Sequence, residues 1–264
     1  MDYTPPPSVV AGLVGLVLLF VLCVGPYRDR FADARAVPPA RLAAFGAGIV
    51  VAFIALATPL DTLADTYLFT AHMAQHLLLT LVVAPLLLIG TPGWLLRQVL
   101  RSTRLTGFVH WARHPLVAFF GFNLVFSLAH IPTFYELTLA NEPLHALEHV
   151  VFIGTAMLMW MPVLSPVPDI AALYPALGQV LYLFLQTVPA SLVGALLAAG
   201  TSAFYQTYVL APRVSSLSPL EDQQLGGLIM WVGSGVYFLI ASGVVFFAWA
   251  SREEAANRRP APVH

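Results

Sequence analysis

The sequence predicts an all-α polytopic membrane protein: a bundle of seven transmembrane helices forming a single integral membrane domain over residues 1–264. Three observations carry this. Hydrophobic residues make up 59% of the chain and charged residues 9%, against about 25% charged in ordinary soluble domains. Seven apolar runs approach the roughly 20 residues that an α-helix needs to cross a hydrocarbon layer about 30 Å thick. When those runs alternate across a membrane, all arginines but Arg213 fall on one side.

In lipid a helix satisfies its own backbone without having to close a barrel, so each run reads as a helix. The first spans about 8–25; "MDYTPPPS" ahead of it has no Arg or Lys, so the positive region of a cleaved signal peptide is missing and the helix is expected to be retained. The second covers 42–60 and the third 67–90, the latter carrying His72, Gln75 and His76 near its start. Residues 94–110 interleave apolar side chains with Arg97, Arg101 and Arg104, the pattern of a short amphipathic helix on a membrane surface. The fourth span, 115–131, ends at His130, and the fifth, 144–164, opens with His145, Glu148 and His149. The sixth covers 174–200. The seventh, 225–250, follows "SPLE" (218–221), which fits a capping box with Pro at the first helical position.

The arginines orient the bundle. Arg28, Arg30, Arg35 and Arg41 lie in the first loop, Arg97, Arg101, Arg104 and Arg113 in the third, and Arg252, Arg258 and Arg259 in the tail. The positive-inside rule then puts the N-terminus outside and the C-terminus inside. The net charge of −1 gives no basic surface for nucleic acid, and the lone Cys23 excludes a disulfide framework or a CxxC motif.

Polar side chains at membrane depth are costly and commonly functional. On this map His72, His76, His130, His145 and His149 share the outer leaflet. Positions i, i+3 and i+4 share a helix face, so "HMAQH" presents His72, Gln75 and His76 together and "HALEH" presents His145, Glu148 and His149 together. Two imidazoles at i, i+4 can grip one metal ion, and His130 on the intervening helix could complete its shell. The partial positive charge of a helix N-terminus favours the neutral imidazole that a metal requires. A single membrane histidine is otherwise an interhelical hydrogen bond. His110 and His114 read as interfacial residues, Met157, Met159 and Met161 as core filler, and Gln179 and Gln186 as interhelical hydrogen bonds. Asp61, Asp65 and Asp222 gather at the same end; Asp65 and Asp222 are candidates to orient ligand imidazoles, while Met73 lies next to the first pair but about 100° around the helix.

Imidazole suits zinc, copper and iron alike, so three readings stand. One is a copper site that receives or passes on metal at the outer face. Another is a zinc hydrolase, since "HALEH" matches H-x-x-E-H with Glu148 as base, although Gln75 fills the corresponding place in the sister motif. The third is a haem carrier with axial histidines from two helices.

Four blocks, "HMAQHLLLTLVVAPLLLIGTP" (72–92), "HIPTFYE" (130–136), "EPLHALEHVVFIGTAMLMWMPV" (142–163) and "EDQQLGGLIMW" (221–231), make the chain resemble the polytopic CtaG family of cytochrome c oxidase assembly factors. The resemblance runs from about residue 58 to 250 and implies a multi-pass protein of the bacterial plasma membrane, not an enzyme. Its implied role is maturation of a haem-copper oxidase, with copper as the metal. The oxidase subunits and a periplasmic copper donor are the implied partners, together with the lipid bilayer. His72, His76, His130, His145 and His149 are the matched positions for metal handling, and Asp222 with Gln223 the matched polar pair. The chain lacks the cysteine pairs that hold Cu(I) tightly, so the expected binding is weak, transient or shared with a partner.

Overall fold

A computed structural model of the chain describes residues 3–100, 111, 114–167 and 175–258. Among the described residues there is no strand. Among the helices of the described residues are α1 (Pro7–Val24), α2 (Pro39–Leu56), α3 (Phe69–Gly90), α4 (Gly93–Leu100), α5 (Pro115–Ala129), α6 (Pro132–Leu139), α7 (Glu142–Leu164), α8 (Ala176–Ala198), α9 (Gln206–Leu210) and α10 (Pro219–Asn257). Six of them (α1, α2, α3, α7, α8 and α10) are long and apolar enough to cross a membrane, and the chain is a multi-pass membrane protein. Proline recurs in the first two positions of α1, α2, α5, α6, α7 and α10, where its missing N–H is one that the helix leaves unpaired anyway. Ser218 and Glu221 close the capping box that "SPLE" predicts at the start of α10.

The expected fourth span, 115–131, coincides with α5 and the start of a bend. α5 has 15 residues, about 22 Å at 1.5 Å per residue, and falls short of a bilayer core of about 30 Å. Its cause is local: Ile131 precedes Pro132 and is pushed out of the helical region (φ −68°, ψ 124°). Pro132 then starts α6, which turns 77° away from α5, so the span count is six, or seven if the bent pair is one span. Of the expected surface helix at 94–110, Gly93–Leu100 is helical; Arg101, Arg104, His110 and, beyond it, Arg113 lie outside the described residues.

α3 is the centre of the bundle: 67% of its apolar window is buried, against 6% for α1 at the edge. It can sit there because its backbone is repaired from outside. A π segment spans Leu78–Val83, and Ala84 N–H reaches back to Leu79, which leaves the Thr80 and Leu81 carbonyls facing Pro85, a residue with no N–H. The Trp160 indole donates to the Thr80 carbonyl at 3.0 Å and the Tyr237 hydroxyl to that of Leu81. α7 and α10 are thereby tied to α3 at mid-depth. Elsewhere α8 and α10 approach so closely that a Cβ on Gly227 would lie 2.6 Å from the Ala198 nitrogen, and one on Gly194 would lie 2.7 Å from the Gly227 carbonyl. Small residues permit such backbone contact where lipid gives no hydrophobic drive to helix association. Outward-facing Phe120, Leu192 and Phe247 are more than 60% exposed, as side chains covered by lipid must be.

Candidate metal centre

Five imidazoles are buried at one end of the bundle: His72 and His76 from the first turns of α3, His145 and His149 from those of α7, and His130 from the residue that closes α5. The two pairs face each other. His72 and His145 stack with ring planes 10° apart and centroids 5.6 Å apart, while His76 and His149 meet edge-on at 5.6 Å. Within the pairs the centroids are 4.2 Å (His72 and His76) and 4.4 Å (His145 and His149) apart. His72, His76 and His145 each offer a nitrogen within 4.8 Å of the other two.

The electrostatics of the cluster are set by what is missing. Both nitrogens of His72 and both of His76 are buried without a hydrogen-bond partner, and so is Nε2 of His130, His145 and His149. Asp65 lies 3.7 Å from His72 Nδ1, too far for a hydrogen bond, and the Ala64 carbonyl beside His72 accepts from the Tyr208 hydroxyl at 2.7 Å while keeping a second lone pair toward the ring. A buried polar atom left unpaired costs about 1–3 kcal/mol, so a cluster of them calls for a reason. Two rings do have one nitrogen engaged: His145 Nδ1 sits 3.3 Å from Asp65 Oδ2, and His130 Nδ1 faces the Phe126 carbonyl at 2.6 Å. In both, the second nitrogen is left aimed elsewhere, the arrangement that fixes ring orientation in imidazole ligands.

A family model described as cytochrome c oxidase caa3 assembly factor (Caa3_CtaG) matches residues 18–252. The chain belongs to that family. Comparisons with curated proteins and with solved structures find no match. For this caa3 assembly factor family member, every cluster histidine lies inside the matched region.

The remaining residues singled out from the sequence divide. Asp65 reaches the cluster through His145, as described. Asp61 lies beside it and accepts from the Gln75 side chain at 2.8 Å; the same amide donates to the Ala55 carbonyl at 2.9 Å, so Gln75 ties α3 to α2. Burial, and after it the charge of Asp65, pushes the Asp61 carboxyl up to about 6. Glu148 has a buried Oε2 without a hydrogen-bond partner. Among the described residues no ion pair joins Asp222 to an imidazole: its carboxylate accepts from the Phe69 and Thr70 amides at 2.7 and 3.1 Å and so caps the buried start of α3. Gln223 accepts from the Phe204 amide at 2.6 Å and pins the loop after α8. Met73 packs in the core toward Gly226 of α10, where a Cβ would sit 3.3 Å from its Cγ. Gln186 is the interhelical hydrogen bond expected of it, accepting from Asn123 at 2.8 Å.

A tyrosine layer behind the cluster escapes the sequence reading. The Tyr135 ring lies tilted at 49° with its centroid 5.0 Å from that of His72, and Tyr135 shares a 2.7 Å hydroxyl contact with Tyr208 and packs 4.2 Å from Tyr205, whose hydroxyl donates to the His130 carbonyl at 2.9 Å. α9 and its flanks are too short to show a periodic pattern, so only the run "FYQTY" hints at them.

Proposed function

We propose that this chain holds a single copper ion between His72, His76 and His145 and passes it to a haem-copper oxidase during assembly. The observation that carries the reading is the group of unpaired imidazole nitrogens within 4.8 Å of one another. Three nitrogens on one ion, each about 2.0 Å from it, lie about 3.3–3.5 Å apart. From separations of up to 4.8 Å the rings therefore need to close by up to about 1.5 Å, a side-chain adjustment. His149 and His130 border this set and serve as further stations for the ion.

Membership of the assembly factor family supports copper over zinc as cargo. The "HALEH" histidines are divided, His145 in the three-ring set and His149 beyond it, which favours holding an ion over the paired grip of a hydrolase. Direct ring-to-ring packing at 4.2 to 5.6 Å favours one ion over a flat macrocycle. By the arginine distribution the cluster faces outward from a bacterial plasma membrane, so a periplasmic donor reaches it without crossing the bundle, and the chain docks and transfers copper instead of transporting it. Purified protein loaded with copper and desalted is expected to retain an ion, and the His72→Ala, His76→Ala double variant to lose it. Unchanged retention in the double variant would remove the assignment. Cells lacking the protein are expected to assemble an oxidase poor in copper with normal haem.

A further inference from the structure

Just ahead of α3 the backbone makes a widened turn, a π segment over Leu63–Tyr67 closed by the Leu68 amide on the Leu63 carbonyl at 2.8 Å. Turns of this kind recur at functional sites. Asp65 is its middle residue, and the Tyr208 hydroxyl, donating to the Ala64 carbonyl at 2.7 Å, pins the turn to α9.

The turn directs the two Asp65 oxygens at different rings. Oδ2 stands 3.3 Å from His145 Nδ1, and Oδ1 stands 3.7 Å from His72 Nδ1. The second distance is too long for a hydrogen bond, yet Oδ1 and Nδ1 are both buried and without a hydrogen-bond partner. Two atoms bound to one ion at about 2.0 Å each stand roughly 2.8 Å apart at a right angle and roughly 4.0 Å apart when opposed. The gap of 3.7 Å falls between these limits, so an ion fits it with both groups as they stand, whereas the three rings must close on theirs. Among the described residues Asp65 alone brings a carboxylate oxygen within 4.0 Å of the cluster imidazole nitrogens.

Position and chemistry say when an ion meets this pair, and in what form. The Asp65 side chain is 29% exposed against 1% for that of His72, and Asp65 lies outside the three-ring set, so an ion arriving at the rim meets it first. A carboxylate oxygen is a hard donor, and its negative charge attracts a dication more than a monocation. The sulfur of Met73, the residue next to His72, is not part of this arrangement, since Met73 packs toward Gly226 of α10. We propose, resting on the copper reading above, that Asp65 Oδ1 and His72 Nδ1 form a capture site at the rim of the cluster that takes copper as the cupric ion. The ion then moves inward as nitrogens of His76 and His145 replace the Asp65 oxygen, with His72 a ligand throughout.

The test times uptake: full-length protein in detergent is mixed with Cu(II), or anaerobically with Cu(I), a chelator stops the reaction, and the metal left on the protein is counted. Asp65→Asn keeps the size of the side chain and an acceptor for His145. It is expected to slow Cu(II) uptake about tenfold, the low end for losing a charged contact, and to leave Cu(I) uptake and the final amount of copper retained within about twofold of the wild type. Asp61→Asn removes a neighbouring carboxylate and so reads plain electrostatic steering; it is expected to change either rate by less than about twofold. His76→Leu, which breaks the three-ring set, is expected to stop Cu(II) at the rim. There, electron–nuclear double resonance on protein grown with carboxyl-¹³C aspartate is expected to show a carbon coupling that vanishes when Asp65→Asn is added. The coupling in His76→Leu decides the matter by itself should Asp65→Asn fail to fold. Equal slowing of Cu(II) and Cu(I), equal slowing by Asp61→Asn, or no carbon coupling in His76→Leu would overturn the capture site and leave Asp65 as the group that orients His145, with the copper reading intact. A wild type that takes up neither ion would remove the copper reading and the capture site together.

Discussion

Replacing His76 with leucine is expected to stabilise the metal-free protein and to destroy its response to copper. His76 is 4% exposed, packs 4.7 Å from the Phe152 ring, and leaves two nitrogens unpaired in that apolar setting. At about 1–3 kcal/mol for each orphaned atom, the wild-type ring carries a penalty of roughly 2–6 kcal/mol that a leucine of similar volume does not. Imperfect repacking takes back about 1–3 kcal/mol, so the expected net gain is about 2 kcal/mol. For a chain of this size that is roughly 4–8 °C in Tm. Copper acts unequally on the two proteins: a ligand that binds only the folded state at a hundred times its Kd adds about 2.7 kcal/mol to the wild type, and the variant, short of one of three nitrogens, gains little. Thermal unfolding of both proteins in one detergent, with and without copper, reads all four states. A metal-free variant less stable than the wild type would show that the His76 nitrogens are satisfied, and a copper shift of equal size in both would show that His76 does not hold the ion.

Asp222→Ala is expected to cost about 2–4 kcal/mol, because two hydrogen bonds from backbone amides to a charged acceptor at the start of α3 are lost; a loss under 1 kcal/mol in denaturant unfolding would contradict the capping role. Asp61, with its carboxyl held up near 6 by burial, keeps a proton in the folded state that the unfolded chain has released from about pH 4 upward. Stability is therefore expected to fall as pH rises from about 4 through 6 and then to level. An infrared band of a protonated carboxyl should fade with a midpoint near pH 6 and be absent in Asp61→Asn; a midpoint below pH 5 would refute this. Glu148→Gln is expected to preserve both copper retention and oxidase assembly, and failed assembly with normal copper would return Glu148 to a catalytic role.

Much of this arrangement was readable from spacing alone. The capping box of "SPLE" marked where α10 begins, and the i, i+4 histidines of α3 and α7 could only share a face. The break after His130 was harder, since apolar residues continue across it and hydropathy does not register the backbone restriction that Pro132 places on Ile131. Which of five imidazoles form the tight set depends on how far each helix is rotated about its axis, and periodicity leaves that rotation free. Asp222 could not be assigned from sequence for a related reason: its partners, Phe69 and Thr70, lie 153 and 152 positions away. The same holds for Tyr135, Tyr205 and Tyr208, which meet only through the loops around α6 and α9.

The π segment of α3 changes what a deletion would do to this protein. Each residue added to or removed from a helix advances its phase by about 100°. Excising one residue between Leu78 and Val83 would relax the widened turn into ordinary α geometry and leave what lies beyond nearly in phase, whereas relaxing the turn with every residue kept would swing everything beyond by more than a quarter turn. Gly90, where a Cβ would meet the Phe45 backbone at 2.6 Å, would then no longer face α2, while His72 and His76 stayed in place. The bulge therefore works as a phase adjuster: it lets the upper half of one helix present imidazoles to α7 and the lower half present a glycine to α2, two demands that a uniform helix of this sequence would not meet together.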